Sequence, residues 1–81
     1  MQRTLRLTAV ITRDGGEYVS LCPALDIASQ GSTIEDAREN LIEAVALFYE
    51  CADETEITRR ESRDVHVTEI DVTVLDTVRL R

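Results

Sequence analysis

Cys22 and His66 are the two side chains whose chemistry could support nucleophilic catalysis. A catalytic thiol needs a base within hydrogen-bonding reach and a lowered pKa. His66 is the only imidazole in the chain, and nothing in the spacing ties it to Cys22. Cys22 and Cys51 lie far apart with no CxxC pairing, as expected of small apolar side chains rather than metal ligands. We therefore expect no catalytic cysteine and no metal site built on cysteine and histidine.

The step Gly31-Ser32-Thr33 precedes a predicted helix, where free N–H groups could bind a phosphate. Glu35 and Asp36 occupy the first helical turn, complement the helix dipole and repel an anion. Ser32 with Glu35, or Thr33 with Asp36, matches a capping box. Helix capping is the better interpretation of this step.

Three short strands are predicted before that helix. Leu5, Leu7, Ala9 and Ile11 alternate with polar residues, which indicates a strand with one buried face. The letters RDGG at 13–16 predict a tight hairpin turn, and EYVSLC is its return strand. Proline cannot donate to a ladder, so this strand ends at Pro23 or lies at an edge. DIASQ forms a third strand that Gly31 closes.

A long amphipathic helix follows. Its apolar stripe recurs at spacings of three and four and comprises Ile34, Ala37, Leu41, Ala44, Phe48 and Cys51. Roughly opposite lie the acidic residues Glu35, Asp36, Glu39, Glu43 and Glu50. Ile42, Val45 and Tyr49 widen the apolar sector to one side, which indicates either a subunit contact or the flank of the core.

The last third of the chain is less regular. Residues 53–64 are densely charged and predict a frayed helix end or a loop. Arg59, Arg60 and Arg63 could form a basic contact patch, but the acids among them nearly cancel the local field, so a solvated charged segment is the better interpretation. VHVTEIDVTVL then predicts a final strand, whose change of apolar phase indicates a bulge near Thr68–Glu69. The tail DTVRLR continues this strand or frays.

The predicted fold is therefore α+β, in the order β-β-β-α-β. It consists of an antiparallel three-stranded sheet and a fourth strand, with one helix packed on a face. Ribonuclease-H-like nucleases begin in this order and hold divalent metals between carboxylates. Here the first strand has no carboxylate before Asp14, and Glu43 and Asp71 are isolated. We expect no metal, no cofactor and no enzymatic activity.

Composition limits the class of partner. The net charge is −7, with nine arginines and no lysine, which disfavours direct nucleic-acid binding and favours a basic partner. The lysine-free composition fits either a salt-adapted or a GC-rich source.

Eighty-one residues form one small, marginally stable domain, so we expect a homodimer or larger assembly. With no apolar run long enough to span a bilayer and no signal-peptide pattern, we expect a soluble cytoplasmic protein.

Residues 18–50 resemble the HicB-like antitoxin family. The resemblance lies in a Tyr-Val strand, a Cys-Pro turn with Leu-Asp, a Gln-Gly step, a Thr-capped helix start and an Asn-Leu…Glu-Ala repeat. The positions that carry it are Tyr18, Val19, Cys22, Pro23, Leu25, Asp26, Gln30, Gly31, Thr33, Glu35, Asp36, Ala37, Asn40, Leu41, Glu43 and Ala44. Asp36 stands where the family more often has Glu, which keeps the charge.

The resemblance implies a partial ribonuclease-H-like fold without its catalytic acids. It also implies a partner: a small basic HicA-type toxin that cleaves mRNA and is blocked by the antitoxin. Many family members carry a C-terminal DNA-binding segment that represses their operon. Here no second helix pattern follows residue 56, so we expect a single HicB-like domain over 1–81 without a DNA-binding domain.

Two functional hypotheses follow. In the first, the chain is a non-catalytic antitoxin that covers the basic active surface of its toxin with the acidic helix face (Glu35, Glu39, Glu43 and Glu50) and the neighbouring sheet edge. Electrostatic complementarity would speed and orient that encounter. In the second, the chain is an oligomeric adaptor or structural protein that kept the scaffold and binds another partner.

Overall fold

The computed structural model describes residues 2–75, with three strands followed by two helices. The strands are β1 (Val10–Asp14), β2 (Glu17–Cys22) and β3 (Ile27–Gly31), and the helices are α1 (Ile34–Cys51) and α2 (Glu54–Glu61). The strands form one antiparallel sheet in the order β1-β2-β3. The α+β class and the three-stranded antiparallel sheet are confirmed.

The hairpin between β1 and β2 is closed by two glycines. Asp14 pairs with Glu17, which leaves Gly15 and Gly16 as the loop. Gly15 has a φ of 65°, whereas Gly16 does not lie in the left-handed region. Positive φ at the first loop residue is typical of a type II′ turn, which matches the twist of the flanking strands. The predicted turn at 13–16 is confirmed.

The expected strand over Leu5–Ile11 starts later than predicted, at Val10. Its partner strand ends at Cys22, so residue 8 would have to pair with Pro23, which lacks an N–H. Residues 2–8 therefore have no ladder partner on β2. The exposed fractions of Leu5 and Leu7 are 40% and 39%, so the expected buried face is only partly covered.

Helix α1 begins at the second of the two predicted capping pairs, Thr33 with Asp36. Thr33 is the N-cap, and its hydroxyl accepts a hydrogen bond from the N–H of Asp36 at 3.0 Å. Ser32 takes a different role, since its hydroxyl donates to the Asp36 carboxylate at 3.1 Å. Satisfying an otherwise unpaired N–H in this way stabilises a helix start by about 1 kcal/mol.

The buried face of α1 is rotated slightly from the predicted stripe. Ala37 and Leu41 are buried, but Ile34 is 55% exposed and Cys51 is also exposed. The core consists of Cys22, Leu25 and Leu41, with Val45, Tyr49, Ala24 and Ile27 packed against it. The helix lies mainly over β3 and β2 and touches β1 little, so the end residues of its stripe pass beyond the sheet.

The charged segment after α1 is a helix, and the predicted frayed end or loop is wrong. Asp53 is the N-cap of α2 and accepts a hydrogen bond from the N–H of Glu56 at 2.9 Å. Glu56 pairs with Arg59 and Arg60 one turn later, at 2.7 and 2.9 Å. These local charge pairs favour a helix although it has no buried residue.

The predicted fourth strand is not found among the described residues. Residues 63–75 have no regular secondary structure, so the order β-β-β-α-β and the bulge near Thr68–Glu69 are not confirmed. A strand forms only against a partner, and within residues 2–75 this segment pairs with no strand. The predicted tail at 76–81 lies outside the described residues.

Candidate protein-binding surface

The Cys-Pro turn of the family motif is a structural corner rather than a nucleophile site. The Cys22 side chain is 1% exposed and lies in the core. The Cys22 carbonyl accepts hydrogen bonds from the N–H groups of Leu25 and Asp26, at 3.3 and 2.8 Å. Asp26 closes the corner with a φ of 57°, a left-handed conformation that Asp tolerates better than most residues.

Two arginines of the charged segment fasten this corner. The Arg60 guanidinium donates to the carbonyls of Leu25 at 2.7 Å and Asp26 at 3.3 Å. Arg63 donates to the carbonyl of Pro23 at 2.7 Å. The prediction that these arginines are simply solvated is wrong, because the corner exposes carbonyls to which they bind.

The guanidinium of Arg59 differs from that of Arg60. It pairs with Glu56 of its own helix, and its hydrogen bond lowers the pKa of the Glu56 carboxyl below its usual value. The same contact raises the pKa of Arg59. Arg60 also lies 5.3 Å from the Phe48 ring centroid, within cation–π distance, so it links α2 to α1 as well as to the corner.

The Gln30-Gly31 step brings β3 against the start of α1. A Cβ on Gly31 would lie 2.7 Å from the Asp36 carbonyl carbon and closer still to the backbone nitrogen of Ala37. Ala37 is 0% exposed. The side-chain amide of Asn40 donates to the Gln30 carbonyl at 2.8 Å and fixes the same approach. Gly31, Gln30 and Ala37 therefore set the distance between the strand and the helix.

A buried hydroxyl makes a second link between sheet and helix. Ser20 on β2 is 0% exposed, and its hydroxyl donates to the Ala37 carbonyl at 2.8 Å. Tyr18, on the same strand, is half-buried, with its ring 5.9 Å from the Arg13 guanidinium. The motif positions thus shape and fasten the scaffold.

The acidic residues of α1 lie on its solvent-exposed side and not between helix and sheet. Glu35, Glu39, Glu43 and Glu50 are all exposed, and they fall within about 80° of one another around the helix. Glu39 is paired with Arg38 at 2.9 Å. Within residues 2–75, the other three glutamates have no cationic side chain within 4.0 Å. The result is a negative surface on the side away from the sheet.

A second surface lies beside α1, where residues 2–9 leave a cleft of about 810 Å³. Its walls include Leu5 and Leu7 on one side and Ile42, Val45 and Tyr49 on the other. Ile42 is 51% exposed, whereas Val45 and Tyr49 also pack against the core. Val45 and Tyr49 therefore form the flank of the core. For Ile42, the structure fits either a subunit contact or the flank of the core.

Tyr49 also contacts one residue before β1 and one residue of α2. Its hydroxyl donates to the Glu61 carboxylate at 2.7 Å, and Arg3 lies 6.0 Å from its ring centroid. Burial, followed by the Glu61 hydrogen bond, raises the pKa of Tyr49 above 10.0. Tyr49 therefore contributes to docking α2 against α1.

The side chains with catalytic potential do not gather. The His66 side chain is 80% exposed, and its Nε2 lies 3.0 Å from Asp64, whereas Cys22 is in the core. Across residues 2–75, no three His, Cys, Asp or Glu side chains lie close enough to hold a metal ion. In the same range, no helix is both long and apolar enough to cross a bilayer.

Sequence reasoning missed the docking of α2, although its signals were present. Asp53 and Glu56 have the spacing of a capping box, and Glu56 precedes Arg60 by four residues. The hydrogen-bond partners of Arg60 and Arg63 had no such signal. These partners are backbone carbonyls, and every residue type has one, so the sequence does not show which of them are free to accept.

No protein-family model, curated protein or solved structure matches this chain. The resemblance to HicB-like antitoxins therefore depends on the motif residues of 18–50. In the structure these residues form a corner, a strand-to-helix approach and a helix cap, which together present the acidic face of α1.

Proposed function

We propose that this chain is a non-catalytic protein-binding module of the HicB-like antitoxin type. Its partner is a small basic HicA-type toxin that cleaves mRNA, and the chain neutralises it by covering the toxin's active surface. The chain acts in the cytoplasm as a homodimer or larger assembly and needs no cofactor.

The observation that carries the proposal is the exposed acidic face of α1. Carboxylates at Glu35, Glu39, Glu43 and Glu50 share one side of a long helix in a chain of net charge −7. An enzyme that binds RNA must present cationic groups to phosphates. An acidic surface of similar extent would bind those groups and exclude the RNA.

A fixed scaffold makes such a surface effective. The Thr33 cap, the Gly31 approach and the Ser20 hydroxyl hold α1 on the sheet. The glutamates therefore keep their spacing in the free chain, which lowers the ordering cost of binding.

The test uses a candidate toxin: a small basic protein, if one is encoded by the gene next to that of this chain. Its ribonuclease activity is measured with increasing amounts of the wild-type chain and of a variant in which Glu35, Glu39, Glu43 and Glu50 are replaced by Gln. The control replaces four exposed acids elsewhere with amides: Asp14, Glu17, Glu54 and Asp64. Both variants change the net charge equally.

Association rates with the same protein are measured by stopped flow at low salt beside the inhibition titration. We expect the α1 variant to associate at least about tenfold more slowly than wild type, because electrostatic steering is lost, and to need more chain for the same inhibition. The control should keep most of the wild-type association rate. Equal losses in the two variants would assign the effect to net charge and remove the α1 surface from the proposal. If no neighbouring protein has ribonuclease activity that this chain lowers, the adaptor hypothesis replaces the antitoxin.

A further inference from the structure

The single chain leaves more surface exposed than a compact protein of its size. It exposes 6938 Å², whereas a folded monomer of 9.1 kDa exposes about 4,900 Å². Its radius of gyration is 16.5 Å, against about 12 Å for a compact domain of this length. The excess of about 2,000 Å² is more than the roughly 800 Å² that each partner of a standard complex buries.

Residues 65–75, which we name the C-terminal arm, contribute exposed apolar side chains to this surface. Ile70, Val72 and Val74 alternate with polar residues, and 78%, 69% and 72% of their surfaces are exposed. β-branched residues with a period of two are typical of a strand with one buried face. The arm therefore has the pattern of a strand without the partner that a strand needs.

An unoccupied sheet edge is present in the same chain. Among residues 2–75, β1 pairs with β2 on one side only, so its outer edge offers unpaired backbone groups. Residues 2–9, which precede β1, and α1 line the apolar cleft, in which Leu5, Leu7 and Ile42 are about 40–50% exposed. A strand that paired with β1 and continued along residues 2–9 would reach this cleft.

We propose that the C-terminal arm of one chain pairs with the β1 edge of a second copy and fills its cleft, in a reciprocal dimer. The lengths agree, since residues 4–14 and 65–75 would each extend about 36 Å as strands. The charges also agree. Residues 2–14 carry three arginines against one aspartate, whereas the arm carries Glu69 and Asp71 and no arginine.

In the single chain the arm does not occupy its own β1 edge. Arg60 and Arg63 fasten the end of α2 to the corner that follows β2. From there residues 63–75 run without regular secondary structure, and their apolar side chains stay exposed. Reciprocal exchange pairs both β1 edges and closes the assembly as a dimer. Such a dimer would form whether or not the chain binds a toxin.

The direct test is made on the wild-type chain. An equimolar mixture of ¹³C-labelled and unlabelled chains is examined by isotope-filtered NMR. We expect contacts between the methyl groups of Ile70, Val72 or Val74 and those of Leu5 or Leu7 across the label boundary. A monomer at all accessible concentrations, or arm contacts only within one chain, would overturn the proposal.

A matched pair of variants measures the contribution of the arm. Val72→Asp places a charge on its apolar side, and Thr73→Asp places the same charge on the opposite side of the same strand. By sedimentation equilibrium, we expect Val72→Asp to raise the dimer Kd by about a hundredfold or more and Thr73→Asp to change it little. A dimer that both variants leave intact would exclude the arm from the interface.

Discussion

At the scale of single residues, the family-motif positions act through backbone geometry. Gly31 allows the strand to approach the helix, Thr33 caps the helix, and Asp26 adopts the left-handed conformation that closes the corner. Cys22, whose thiol could do chemistry, is packed in the core instead. Substitutions at Gly31, Thr33 or Asp26 should therefore change stability before they change binding.

Gly31→Ala tests the close approach. Its Cβ would lie 2.7 Å from the Asp36 carbonyl carbon, and backbone atoms cannot move aside without shifting α1. We expect a loss of about 1–3 kcal/mol in the free energy of unfolding, measured by urea denaturation at fixed chain concentration. Gly16→Ala is the control, because no atom lies within 4 Å of its Cβ position. Equal effects of the two changes would contradict this role for Gly31.

Ser20→Ala tests the buried hydroxyl. The substitution removes the donor to the Ala37 carbonyl and leaves the rest of the strand unchanged. We expect a loss of about 0.5–1.5 kcal/mol in the free energy of unfolding, typical of one hydrogen bond. Urea denaturation measures it, and a variant as stable as wild type would show that the bond contributes nothing.

At the scale of elements, the sequence predicts a helix or a turn well when the residues that specify it lie within the element itself. The hairpin glycines, the Thr33 cap and the amphipathic pattern of α1 are local, and these elements were predicted. α2 carries a capping pair and an i,i+4 ion pair without an apolar stripe, and it was missed. The strands at Leu5 and at Val65–Leu75 were predicted from alternation alone, which specifies a face but cannot supply a partner.

Arg60→Ala tests the docking of α2 on the corner. The substitution removes charge-assisted hydrogen bonds to the Leu25 and Asp26 carbonyls and the contact with Phe48. We expect a loss of about 1.5–3 kcal/mol and faster amide hydrogen exchange throughout α2. The control Arg59→Ala breaks only an exposed pair within the helix and should cost at most about 1 kcal/mol. Similar exchange in both variants would exclude the proposed docking role.

The pH dependence of α2 follows from Glu56. Hydrogen bonding, first to Arg59, lowers the pKa of this carboxyl in the folded chain. A group with a lowered pKa contributes stability above its unfolded value of 4.5, and this contribution is lost as the pH falls through the folded pKa. We expect acid to reduce helicity, measured by circular dichroism, less in Glu56→Gln than in wild type. An identical acid transition in the two proteins would contradict this assignment.

At the scale of the whole molecule, the two candidate surfaces adjoin each other on one scaffold. The acidic face of α1 points away from the sheet, and its Glu50 also lines the cleft. The resemblance implied a partial ribonuclease-H-like fold, whereas the fourth strand was predicted from alternation, which could not show that residues 65–75 have no strand partner among the described residues. Residues 2–75 include only four buried apolar residues, so further burial, which a second copy would provide, would add stability.

If the chain functions by occlusion, inhibition must be stoichiometric. The most direct measurement is a titration of the proposed toxin's ribonuclease activity with this chain, at concentrations well above their Kd. We expect activity to fall linearly and vanish at a fixed small-integer ratio of protomers to toxin, with both proteins and the RNA chemically unchanged. Complete inhibition by a small fraction of one equivalent, or a covalent change in toxin or RNA, would show that the chain acts as a catalyst and not as a binding module.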